Sequence, residues 1–145
     1  MARLDDSSHR IARWQDAAAP DLDDFVALGE RALADLPETF RALCGDVEIR
    51  VDDFPDEEAL KELGLESPFD LLGLFQGVGI AHDAAVGHTG RLPNRVWLYR
   101  RPILDYWAEH EETLGAVVTH VLVHEIGHHF GLSDDDIDAL EATTA

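Results

Sequence analysis

The sequence predicts one α+β domain, and three observations carry that expectation. Val47, Ile49 and Val51 alternate with Glu48, Arg50 and Asp52, the two-residue period of a half-buried strand. Leu114, Val117, Val118, Val121, Leu122 and Ile126 recur at helical spacing within Glu112 to Phe130, which makes one long amphipathic helix. The 145 residues, 46% of them hydrophobic, suffice for one compact core and leave no room for a second.

The elements follow in order. Met1 to Ala19 mixes charge and alanine around Trp14 and reads as a mobile arm or loosely docked helix closed by Pro20, so residues 1–20 form an N-terminal arm and 21–145 the domain. From Asp21 to Leu43, Leu22, Phe25, Val26, Ala32, Leu33, Leu36 and Phe40 keep a helical period, with acids at the start where the helix dipole favours them. Pro37 interrupts it, which predicts a kink or two helices. After the Val47 strand, Pro55 to Leu65 reads as a short acidic helix ended near Gly64. Leu71 to Gln76 is a short apolar run, glycine-rich Gly77 to Leu92 a surface loop, and Arg95 to Tyr99 a second strand. A short helix is expected from Ile103 to His110, after Pro102. The long helix is rich in β-branched residues, so burial rather than propensity must hold it together. Ser133 is placed to cap a last helix running through Ala142.

The end of the long helix carries chemistry. His124 and His128 are four residues apart, so on a helix both imidazoles face one small cation, and Glu125 lies about 100° round the axis, beside that cation rather than on it. A carboxylate there is placed to take a proton from an activated water. The five-residue pattern alone would arise by chance at roughly 0.04 in a chain of this composition, and requiring Gly131 and Asp134 lowers this to roughly 0.0005. Gly131 tolerates positive φ and can turn the chain back, delivering Asp134 as an oxygen ligand. Two imidazoles and one carboxylate leave a fourth position open, the arrangement of catalytic rather than structural zinc. A closed site would want cysteines, and the chain has only Cys44.

Other residues compete. His120 extends the stripe, but about 12 Å of helix rise separates it from His128, too far for all three to converge from a straight helix, so a supporting or surface place is expected for it. Asp134 has a rival reading as a helix-dipole acid at the start of the last helix. His129 points away and is expected to pack or hydrogen-bond, while His82 and His88 read as solvated loop histidines.

The segment from Leu71 to Asp138, with Leu72 to Gly77, Leu92 to Pro102 and the HExxHxxGxxD run from His124 to Asp134, resembles the minimal zincin-like zinc metallopeptidases of bacteria. From Asp21 the similarity is looser. The resemblance implies a minimal zincin-like fold with a small sheet packed against an active-site helix, Zn2+ held by His124, His128 and Asp134, and Glu125 as general base. It also implies that Arg95 to Tyr99 is the edge strand flanking the cleft, where an extended substrate adds by backbone pairing. Metzincins place a methionine turn beneath the metal, and the only methionine here is Met1, so the resemblance stops at zincin. The floor of the site falls to the segment around Ile137 and Leu140.

The expected activity is therefore zinc-dependent peptide hydrolysis. Tyr99, Tyr106 and His120 are the candidates to stabilise the oxyanion, and spacing does not choose among them. The alternative is a zinc-stabilised protein-binding module without a usable cleft, and a third reading is metal-dependent hydrolysis of a non-peptide bond. A formal charge of -19 argues against nucleic acid and anionic membrane as partners and leaves a peptide or protein substrate. One cysteine and no apolar leader or membrane-length stretch fit a cytoplasmic protein.

Overall fold

The computed structural model describes residues 2–77 and 94–144, which form seven helices and three strands. In chain order these are α1 (Ala2–Gln15), α2 (Leu22–Ala34), α3 (Glu38–Cys44), β1 (Val47–Asp52), α4 (Glu57–Leu63), β2 (Gly73–Gln76), β3 (Asn94–Tyr99), α5 (Arg100–Glu109), α6 (Leu114–His129) and α7 (Asp134–Thr144), with a short 3-10 turn at Pro68–Asp70. The architecture is α+β, as expected. Pro37 does divide the first helical stretch in two, because it lacks an amide donor for a continuing ladder and so serves as the N-cap of α3. The first twenty residues contain α1, whose Ile11 and Trp14 are exposed. No helix among the described residues is long and apolar enough to cross a membrane.

The sheet order is β1-β3-β2, with β3 parallel to β1 and antiparallel to β2. This corrects the edge-strand expectation. Among the described residues Arg95 to Tyr99 is the central strand, and the edges are β1 and β2, the latter within the short run from Leu71 to Gln76. The physical reason is visible in β3 itself: Val96 and Leu98 are fully buried and Tyr99 nearly so, giving the near-continuous apolar character of a strand covered on both faces.

Alternation along the strands separates two faces. Ile49, Val96 and Leu98 point into the core, where α6 lays Val117, Val118, Val121, Leu122 and Ile126 against them and Phe25 of α2 closes the far side. Trp97 and Tyr99 stand on the opposite face with Leu74, Gln76 and Asp52. Helix α6 is capped by Thr113, whose hydroxyl accepts from the Ala116 amide at 3.1 Å. Helix α5 starts earlier than its expected Ile103, because Pro102 falls in its first turn, where a missing N–H costs nothing.

Candidate metal centre

Helix α6 presents His120, His124 and His128 along one side, one turn apart. The rings of His120 and His124 lie 4.1 Å apart between centroids, and those of His124 and His128 5.6 Å. The helix ends at Phe130, and Gly131, at φ 76, reverses the chain, with the Leu132 amide donating to the Gly127 carbonyl at 2.9 Å. This left-handed position is open to glycine without a Cβ penalty, as the motif requires. Ser133 then caps α7: its hydroxyl accepts from the Asp136 amide while the Asp136 carboxylate accepts from the Ser133 amide. The two helices therefore run back along each other, α7 carrying carboxylates past the imidazoles of α6.

Two carboxylates arrive. Asp134 reaches the outer end, with Oδ1 3.7 Å from His128 Nε2, both side chains more than half exposed. Glu141, two turns further along the same face of α7, meets the inner end, with Oε1 2.8 Å from His120 Nδ1 and 3.3 Å from His124 Nε2. One ligand atom each from His120, His124 and Glu141 lie within 4.8 Å of one another, the only such grouping among the described residues. His124, His128 and Asp134 are thus neighbours in a chain of contacts rather than one tight cluster. Glu141 was missed by sequence reading. Its heptad spacing from Asp134 was the available signal, since seven residues return to the same helix face.

The donor set fits a divalent cation such as zinc. His124 Nε2 is buried and has no hydrogen bond among the described residues. Burial, and then the neighbouring His120, hold the His124 pKa below its ordinary value, which keeps the ring in the neutral form that ligates. Glu125 faces the other way, toward the sheet. Burial raises its pKa, opposed by His128 and by a backbone hydrogen bond from Phe75. Strand β2 runs beside it: a Cβ on Gly73 would lie 3.5 Å from Glu125 Cγ, 2.6 Å from Val121 Cγ1 and 2.9 Å from the Trp97 carbonyl oxygen. Only glycine lets the strand approach the helix so closely. Glu125 therefore sits between the histidine stripe and the sheet edge.

Neighbouring residues take the expected places or correct them. His129 packs, stacking on Phe75 at 4.0 Å. Ile137 is fully buried and packs against Gly127. Of the three oxyanion candidates, His120 is at the site, Tyr106 stacks on His110 at 3.8 Å, and Tyr99 lines a cavity on the other face of the sheet. His82, His88 and most of the expected loop from Gly77 to Leu92 lie outside the described residues.

Helix α6 therefore carries a stripe of three histidines, with Glu125 beside it and a small sheet packed against it. The family profile described as zincin-like metallopeptidase matches residues 44–144, well over half of the chain, and the chain belongs to that family. No curated protein sequence matches it.

Proposed function

We propose that this protein is a zinc-dependent peptidase. The observation that carries the reading is the placement of Glu125, desolvated beside β2, an edge strand among the described residues, and one residue from the histidine stripe, so that base, cation site and substrate track adjoin. His124 and His128 hold the cation together with Asp134, the carboxylate at the open end; Glu141 orients the inner histidines. Zinc in such a site supplies Lewis acidity toward a peptide carbonyl and makes water a usable nucleophile near neutral pH.

The chain's own groups do the rest. The Tyr99 amide donates to the Leu72 carbonyl across the ladder, so Gly73 and Phe75 turn their backbone groups outward, to an edge that no strand among the described residues covers; the Phe75 amide is taken by Glu125, which leaves the Gly73 amide and the two carbonyls for pairing. An extended peptide pairs there and is held against α6. Glu125 accepts a proton at its carboxylate as the water oxygen bonds to the scissile carbonyl carbon, then returns it to the amine nitrogen as the C–N bond breaks. Of the three candidates His120, which adjoins His124, is assigned to the oxyanion.

The test is Glu125→Gln, which keeps shape but cannot accept a proton. It should bind zinc as the wild type does while hydrolysis of a mixed peptide library falls at least about a hundredfold. Zinc-loaded wild type that cuts nothing across such a library would replace this reading with the protein-binding module.

A further inference from the structure

On the face of the sheet opposite α6, a cavity of about 280 Å³ lies between the strands and α4. Its floor is aromatic. Trp97 and Tyr99 project from β3 with rings nearly parallel, 10° between planes and 6.4 Å between centroids, and Phe54 adds a third ring. Its rim is acidic, formed by Asp52, Asp56, Glu58 and Glu62. Among the described residues none of these four carboxylates pairs with a basic side chain; Arg101 lies on the Phe54 ring, 5.5 Å from its centroid, and does not line the cavity.

A second observation points inward. Tyr99 is only 5% exposed and its side chain lines this cavity; among the described residues its hydroxyl makes no side-chain hydrogen bond and is not one of the sealed polar atoms, so the surface it keeps is open to this cavity. Burial, then Asp56 and Asp52, push its pKa up to about 12, so it stays a neutral donor and acceptor beside uncompensated acids. A bare metal ion fits this lining poorly: no three of these carboxylates lie close enough to share one ion, and aromatic rings offer it no ligand. An organic cation with a flat face fits it. A guanidinium stacks on parallel rings and donates in a fork to carboxylates, which an ammonium does less well.

The cavity shares β2 with the proposed catalytic base. Leu74 and Gln76 line it, while Gly73 and Phe75 on the same strand adjoin Glu125. A peptide paired along that edge sends alternate side chains to the two faces, one toward the histidines and the next toward the cavity. We propose that this cavity is the specificity pocket for an arginine side chain of the substrate, lying one strand away from the reaction centre. The proposal rests on the peptidase reading for the origin of its ligand and not for the binding itself.

The experiment titrates the full chain with acetyl-Gly-Arg-Gly-amide and with its citrulline counterpart, a neutral near-isostere, following the Trp97 indole N–H by two-dimensional NMR. Saturable movement of that resonance is expected for arginine, with affinity at least about tenfold weaker for citrulline. Glu58→Gln/Glu62→Gln and Tyr99→Phe change groups that make no described hydrogen bond, so the fold is kept, and each should weaken arginine binding several-fold or more. Glu109→Gln/Glu111→Gln removes equal charge elsewhere and should not. Equal binding of citrulline, or equal loss in the control variant, overturns the pocket, as does an unmoved Trp97. The same peptides, extended and offered to zinc-loaded protein, separate the two readings. Saturable binding without cleavage of any peptide sinks the peptidase and keeps the pocket, whereas cleavage indifferent to arginine, with Trp97 unmoved, does the reverse.

Discussion

Glu125 shows how a reactive side chain and a stable one differ. Burial raises its pKa, so folding favours the neutral carboxyl and the ionised form is held against that preference. The linkage sign follows: such a group contributes stability below the ordinary carboxyl pKa and loses it as pH rises through the raised one. Metal-free Glu125→Gln should therefore melt at or above the wild-type temperature at pH 7, with the difference closing in acid. A lower melting temperature at pH 7 would mean that the bond from Phe75 outweighs the desolvation. The two carboxylates of α7 are separable in the same way. Asp134→Ala should lower zinc affinity tens-fold or more in an indicator titration if it ligates, against about 0.3 to 1 kcal/mol of stability if it only serves the helix dipole. Wild-type affinity in Asp134→Ala with loss in Glu141→Ala would place the ion one turn back, between His120 and His124.

The site is made by two helices rather than by one motif. Gly127 lies inside α6 where a Cβ would come within 2.8 Å of Ile137 Cγ1 and 2.9 Å of its Cδ1, so its bare backbone is what lets α7 pack close enough to deliver Asp134 and Glu141. Gly127→Ala forces the fully buried Ile137 to move, an overpacking that should cost about 1–3 kcal/mol in urea unfolding. Zinc affinity should fall with it although no ligand has changed. Unaltered affinity in a destabilised variant would show that the interhelical spacing does not set the site.

Across the whole molecule the net charge of -19 is a force in its own right. Self-repulsion of this size opposes the compact state and is screened as the Debye length falls from about 30 Å at 0.01 M to about 3 Å at 1 M salt. The melting temperature of the metal-free protein should thus rise across that range of sodium chloride. A flat or falling profile would show that the acids are locally compensated, contrary to the uncompensated rim around Tyr99.

What the sequence determined by itself is what short-range geometry dictates. The four-residue spacing of His124 and His128, the turn at Gly131, the cap at Ser133, the break at Pro37 and the end of α4 at Gly64 are all properties of chain segments a few residues long, and each is legible in the chain alone. Family membership was legible too, through the motif. Tertiary structure alone decided the relations between distant segments: that among the described strands β3 is central and β2 at an edge, that Gly73 passes beside Glu125, and that Glu141 meets His120. Strand order and interhelical contact depend on which apolar faces find each other in three dimensions, and a one-dimensional period records that a face exists without recording its partner.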